Sequence, residues 1–354
     1  VRLGIDIGGT KIAAGLVTDR GAVLRREQAP TPARQGRHAV VDTVTRLARE
    51  LGLDGVAAVG VGTAGVVDPG GRTIVGATDA IRDWAGTPLA RLLEAALGVP
   101  VVVRNDVQAF LAGELAVSTW RTALGVTVGT GIGGAVAVDG VVVRGAHGAA
   151  GHLGHVPVPE AEGLRCACGG TGHVEAVAGG PAMTARLEAV SGHGAEPDDL
   201  TAPPEADSGH GAEPPATTDP LEATGGRGAG AGARVDGCAA GREPRDLRWV
   251  LDRARAGDER AREVLALGGA ALGRALAGVV NVVDPEAVII AGGVLAAGER
   301  YLAPLRSALA AGLLPALAGV PVLRARLGDD AVLVGAALDA AATPSGAGAR
   351  RAGS

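Results

Sequence analysis

The chain has 354 residues, 47% hydrophobic and 20% charged, with a formal net charge of -5; that length fits two domains or one large one, and the charge argues against a general nucleic-acid binder. Aromatic residues make up 1%, so stacking platforms for bases or sugars are nearly unavailable. Three cysteines cannot build a disulfide framework, which points to a reducing, cytoplasmic compartment, and no run of about 18 apolar residues or N-terminal signal pattern points to a membrane.

The first strand is expected over Arg2 to Ile7, running into Gly8, Gly9, Thr10 and Lys11, the only lysine of the chain. A second strand follows from Ile12 to Thr18 and a third from Ala22 to Glu27, across a hairpin turn at 19–21. Apolar spacing of three and four predicts a helix from His38 to Leu51. Gly55 to Val61 reads as a buried strand and Thr87 to Leu97 as a helix closed by Gly98 and Pro100. A strand from Val101 to Val103 ends at Arg104, Asn105 and Asp106, with a helix from Val107 to about Val117.

A second unit starts near Ser118. Thr122 to Val128 is a strand, Gly129 to Gly134 a turn, and Ala135 to Val138 a strand again. The segment from Gly151 to Glu175 gathers His152, His155 and His173 with Cys166 and Cys168. From about 191 to 245 the chain is rich in Gly, Ala, Pro and Glu, and a heptapeptide recurs at Ser191 and Ser208. Such a stretch cannot bury enough apolar surface to offset its ordering entropy, so a disordered insertion is expected, with Cys238 a free thiol inside it. Helical patterns resume at Leu247 and run to about Val280. Ala287 to Ala291 is a buried strand, followed by Gly292 and Gly293, a helix from Gly298 to Ala311, a strand from Pro321 to Ala325 and a last helix from Ala331 to Ala342.

Two stretches, 60–65 and 129–134, satisfy G-x-G-x-x-G. Neither leads into a helix, as a dinucleotide fold requires. The arrangement is instead strand, glycine turn, strand, found twice. Such turns can aim backbone N–H groups and a threonine hydroxyl at phosphate, and glycine permits the close approach. One copy is an ordinary hairpin; two, one beginning each half, favour a nucleotide cleft between related lobes. The first copy offers Gly8, Gly9, Thr10 and Lys11, with Asp6 as a carboxylate for hydrated Mg²⁺. The second offers Thr130, Gly131 and Gly133. Lys11 reads equally as a phosphate contact or a solvated side chain. Asp106, at a strand end, is either a proton acceptor or a helix N-cap. His155, Cys166, Cys168 and His173 are ligand types at short spacing that suit tetrahedral zinc.

The paired turns, Asn105 with Asp106 between them, and Gly292 with Gly293 resemble the sugar kinases of the actin-like ATPase superfamily. More narrowly, Gly154 and His155 followed by the run from Cys166 to Glu175 resemble the ROK family (repressors, open reading frames, kinases). The resemblance implies two α/β, ribonuclease H-like lobes around a central nucleotide and sugar cleft. The first lobe is expected over 1–117, completed by the C-terminal helix 332–343. The second is expected over 118–331, with the zinc knot at 155–173 and the insertion at 191–245. It implies ATP and Mg²⁺, a structural Zn²⁺, Asp106 as catalytic base, and Gly65, Asn105, Asp106, His155 and Glu175 as sugar contacts, with Gly292 and Gly293 beside the nucleotide. It also implies sugar and ATP as partners, no nucleic acid or membrane, and a homodimer or homotetramer.

Two departures stand out. His173 occupies the place of the family's last cysteine, where it remains a sound zinc ligand. His152 stands three residues before His155, where glucose-specific members carry glutamate. Gly-His-x-Gly-His resembles the bacterial N-acetylmannosamine kinases of the family, so phosphorylation of the 6-hydroxyl of N-acetylmannosamine is the first expectation. A glucokinase or other hexose kinase is the alternative, and a non-catalytic sugar sensor the third.

Overall fold

The computed structural model describes residues 1–78, 80–192 and 245–342. Almost all of the insertion expected at 191–245, with Cys238 and the second heptapeptide, lies outside the described residues, as do Asp79 and position 343 at the end of the last helix.

The first sheet begins with an antiparallel meander, β1 (Arg2–Ile7), β2 (Lys11–Val17) and β3 (Val23–Pro30). Helix α1 (Arg37–Leu51) leads to β4 (Val59–Thr63), parallel to β1. A small separate hairpin, β5 (Val66–Val67) with β6 (Ile74–Gly76), precedes α2 (Leu89–Leu97) and β7 (Val101–Asn105), which runs parallel to β4. The order is β3-β2-β1-β4-β7. Helix α3 (Asp106–Ala116) then carries the chain out of this sheet.

The second sheet repeats the plan. Strands β8 (Ala123–Val128), β9 (Ile132–Val138) and β10 (Val141–Val142) form the meander. Helices α4 (Glu175–Ala178), α5 (Gly180–Val190), α6 (Leu247–Arg255) and α7 (Glu259–Val283) follow, then β11 (Ala287–Ala291), parallel to β8. Helix α8 (Glu299–Gly312) leads to β12 (Val322–Arg324), parallel to β11, and the order is β10-β9-β8-β11-β12. Helix α9 (Ala331–Ala342) returns to the first sheet, where it packs on β1 and β4. Gly4 and Gly60 leave those strands bare beneath it: a Cβ at either would collide with a carbonyl of α9. The chain thus builds one topology twice, a two-lobed α/β fold of the actin-like ATPase class.

Each lobe has its own apolar core, around Ile5, Val61 and Leu93 in the first and Val126, Leu272 and Ile290 in the second. Central strands read as continuous apolar runs because they are covered on both faces. Helix α7 is long and apolar enough to cross a membrane by length and composition alone. Here it is a core helix of the second lobe, packed on α4, α5, α6 and α8.

Several boundaries move from the sequence reading. Strand β4 starts at Val59 rather than Gly55, because 53–56 form a turn in which the Val56 N–H donates to the Leu53 carbonyl at 3.0 Å. The second glycine turn is shorter than expected. Gly133 and Gly134 already belong to β9, paired with Thr127 and Val126. Helix α3 starts one residue early, at Asp106.

Candidate active site

In the first sheet the parallel register aligns Ile7, Thr63 and Asn105, so β1, β4 and β7 end side by side. Ligands of open α/β sheets bind beyond such carboxyl ends. Asp6 precedes Ile7, Gly65 follows Thr63 by two residues, and Asp106 follows Asn105. Asn105 is the N-cap of α3: its Oδ1 accepts from the Val107 and Gln108 N–H groups at 3.0 and 3.2 Å. Its Nδ2 donates to the Gly65 carbonyl at 3.0 Å, fixing the bend where Gly65 holds φ at 105°. The capping alternative considered for Asp106 therefore falls to its neighbour. Asp106 occupies the first helical position, with Oδ1 taking the Val107 N–H at 2.9 Å.

Burial holds the Asp106 carboxyl above the usual carboxylate range, opposed by its backbone hydrogen bonds and by nearby His152. Burial, then the charge of Asp106, pushes Asp6 up to about 7, while Lys11 pulls it down. These two acids, Lys11 and His152 therefore share one electrostatic neighbourhood. Lys11 is neither free in solvent nor held by its own turn. Its Nζ pairs with Asp329 at 2.8 Å, from the segment leading into α9. The first turn is closed by the Gly8 N–H on the Lys11 carbonyl at 3.0 Å. Thr31 braces it: its hydroxyl donates to the Gly8 carbonyl at 2.7 Å and its N–H to the Thr10 carbonyl at 3.0 Å. Gly9 lies beside Ala80.

The second turn is closed by the Gly129 N–H on the Gly131 carbonyl at 2.9 Å, and Thr130 at its tip is exposed. Gly133, read from sequence as a phosphate-turn residue, lies in β9 against Val107, where a Cβ would collide with that side chain. This contact sets the start of α3, and with it Asp106, against the second lobe. Gly292, with φ 101°, follows β11 so closely beside β8 that a Cβ would strike the Val128 carbonyl; Gly293 opens a short 3-10 turn.

Glu175 does more than the sequence reading assigned to it. Its Oε2 accepts from the Ile132 N–H of the second turn at 2.8 Å, and the Cys166 thiol points at its Oε1 at 3.6 Å. One carboxylate thus joins the second glycine turn to the cysteine and histidine cluster. In that cluster Cys166 Sγ lies 3.7 Å from His155 Nδ1 and Cys168 Sγ lies 3.2 Å from His173 Nδ1. All four ligand atoms fall within 4.8 Å of one another. Zinc with sulfur and nitrogen ligands at their usual lengths has a tetrahedral S···N edge of about 3.5 Å, so the donor set fits. His155 is held below the ordinary imidazole range by burial, against the pull of Glu175. His152 stacks near it, ring centroids 6.2 Å apart, with Nδ1 3.0 Å from the Ala149 carbonyl. A carbonyl only accepts, so Nδ1 carries a proton, and in the neutral form of the ring Nε2 is an acceptor.

The fold brings Asp6, Lys11, Gly65, Asn105, Asp106 and His152 to one region, and ties Gly131, Glu175, His155, Cys166, Cys168 and His173 into another beside it. Trp84 is core packing: it is 2% exposed and its indole N–H donates to Thr63 Oγ1 at 3.2 Å. Thr31, Thr63 and Asp329 escaped the sequence reading. Nothing in a linear motif links Asp329 to a lysine 318 residues away.

The ROK family profile matches residues 2–342. The chain is 31% identical over 341 residues to a glucokinase of Thermotoga maritima, covering 95% of each chain. It is 30% identical over 343 residues to an N-acetylmannosamine kinase of Escherichia coli, covering 95% of this chain and 97% of that one. A crystal structure of a ROK family glucokinase from Streptomyces griseus in complex with glucose and AMPPNP superposes with a TM-score of 0.70 at 29% identity, covering 97% of this chain and 99% of that one. With the profile matching nearly the whole chain and relatives of 30% identity or more along almost their full length, the chain belongs to the ROK family.

Proposed function

We propose that the protein is an ATP-dependent sugar 6-kinase whose acceptor is N-acetylmannosamine. The observation that carries the kinase reading is Asp106: a carboxylate at the joint of strand and helix, beside Asp6, Lys11 and His152. Full-length kinase relatives of the same family support it.

In this reading Asn105, Gly65, His152, His155 and Glu175 orient the sugar through hydrogen bonds, since the chain has few aromatic residues for stacking. Asp106 takes the proton of the 6-hydroxyl as that oxygen attacks the γ-phosphorus of ATP. The new P–O bond forms as the bond to the ADP oxygen breaks, and the proton stays on Asp106 until solvent removes it. Gly8, Gly9, Thr10 and Lys11 face the phosphates from one lobe, and Thr130 and Gly131 from the other, while Gly133 packs behind that turn on Val107. Gly292 and Gly293 let the nucleoside approach β11. Asp6 would hold Mg²⁺ through its water shell; the ion supplies charge neutralisation on the phosphates. Zinc held by His155, Cys166, Cys168 and His173 would pin the loop that presents His155 and Glu175. Lobes over 1–117 with 332–343, and over 118–331, close on the cleft and exclude water as a competing acceptor. A cytoplasmic enzyme acting as a homodimer or homotetramer completes the proposal.

His152 is the reason for preferring N-acetylmannosamine, since glucose-specific members of the family carry a glutamate at that position. The second reading, a glucokinase, is favoured by the same residue's hydrogen bond to Ala149. It leaves an acceptor nitrogen where a carboxylate oxygen would also accept from a sugar hydroxyl. Mass spectrometry of the product tests the proposal: N-acetylmannosamine and ATP should yield the 6-phosphate ester. Sugar binding with no ATP consumed would instead identify a sensor.

A further inference from the structure

The chain passes between the two sheets twice. It goes outward through 117–122, after α3, and returns through 325–330, before α9. On each passage a glutamate binds two successive backbone N–H groups. Exposed Glu286 accepts from Arg121 and Thr122 at 2.6 and 2.8 Å, holding the outward passage to its own sheet. Glu114 accepts from Arg326 at 3.0 and 2.9 Å, one bond to each oxygen, and from Leu327 at 2.8 Å.

The second clasp is the unusual one. Glu114 is 2% exposed, and apart from Asp106 it is the one charged residue of α3. A carboxylate is buried at acceptable cost only when its oxygens are fully hydrogen-bonded, and here the partners belong to the return passage. Arg326 also reaches the outward passage, where Nη1 donates to the Val117 carbonyl at 3.1 Å. Beside this knot α3 and α9 meet backbone to backbone: a Cβ at Gly113 or Gly335 would strike the opposite helix. Asp106 lies at the other end of α3, about 12 Å away at the helical rise. Beyond the knot, Asp329 holds Lys11 at 2.8 Å and Asp330 holds Arg26 at 3.0 Å.

We propose that Glu114 is a positioning residue of the interlobe hinge: by pinning the return passage to α3, it makes the two passages move as one and sets how the lobes close over substrate. It touches no reacting atom. Its effect reaches the site along α3 to Asp106 and along the return passage to Lys11.

Glu114→Gln tests this, because the amide replaces one of two acceptor oxygens with a donor that faces backbone N–H groups. The KM values for sugar and ATP should rise by about tenfold or more, as misplacement from a distance does. The pH profile of kcat, set by Asp106, should not move. In small-angle scattering the wild type should contract on adding AMP-PNP, alone and with N-acetylmannosamine or glucose. Glu114→Gln should contract less, and Glu286→Gln as much as wild type. If Glu114→Gln does not fold, Glu114→Asp, which withdraws the carboxylate by one methylene from the Arg326 and Leu327 N–H groups, is read in the same way. A folded variant with unchanged KM values and full contraction overturns the proposal, as does a wild type that does not contract. The kinetic part rests on the kinase reading. If the wild type phosphorylates no sugar, that reading fails by itself, and contraction on AMP-PNP still decides the role of Glu114.

Discussion

Asp6 on β1 and Asp106 after β7 share the cleft closely enough that the charge of one bears on the other, and with burial this pushes Asp6 up to about 7. Its ordinary value is 3.8. Between these two values the folded protein keeps a proton that the unfolded chain has lost. Stability falls as pH rises wherever the folded state binds more protons. Asp6 thus costs the fold stability as pH rises through this window, and the full cost applies above about pH 7. Asp6→Asn should therefore melt higher than wild type at about pH 8 and gain little at about pH 4. Melting curves across that range check the sign; a variant that is less stable at the upper end contradicts it. Mg²⁺ bound at Asp6 needs the ionised form, so its uptake near neutral pH should release a proton, measurable by calorimetry in buffers of different ionisation heat.

Asp106→Asn should leave sugar binding intact and lower kcat by roughly 10²–10⁴, the usual worth of a general base. The amide keeps the size and can still accept the Val107 N–H at the helix start. Because burial holds Asp106 above the usual carboxylate range, wild-type turnover should rise with pH as it ionises, and the variant's residual rate should lose that dependence. Steady-state rates and direct sugar titration on both proteins check it. Unchanged turnover removes the assignment.

The repeated strand-turn-strand unit was legible because its glycine turns are local and occur twice. The parallel strands added to each meander follow from apolar runs at β4 and β11. The less legible part is contact at long range. Asn105 and Asp106 are adjacent in sequence, yet which of them caps α3 depends on the Gly65 carbonyl that takes the Asn105 amide. Glu175 appeared as a sugar contact, and its bond to the Ile132 N–H depends on two loops meeting. Gly133 carried the same signal as its neighbours in the turn, and only packing on Val107 distinguishes it. Glu114 did leave a trace, a lone carboxylate in an apolar helix, but its partners lie more than 200 residues away.

His173 should be a metal ligand despite standing where the family usually has cysteine. Its Nδ1 lies 3.2 Å from Cys168 Sγ. Elemental analysis of the purified protein should find about one zinc per chain. His173→Cys should retain the metal and His173→Ala should lose most of it, with a lower melting temperature. Zinc-free wild type would reduce the cluster to a packed loop.

Tyr301 is fully buried in the second core, and its hydroxyl has no hydrogen-bond partner among the described residues. Burial alone drives its ionisation far upward. Such a group costs stability without return. Tyr301→Phe should stabilise the protein by about 1 kcal/mol, read as a higher melting temperature at unchanged activity. A loss of stability would reveal a partner for the hydroxyl.

In the proposed function, His152 turns this cleft toward N-acetylmannosamine. The most direct test is nucleotide-coupled turnover on N-acetylmannosamine and on glucose at matched concentrations, compared as kcat/KM. N-acetylmannosamine should give the higher value, and His152→Glu should shift the ratio toward glucose. A wild type that prefers glucose would contradict it.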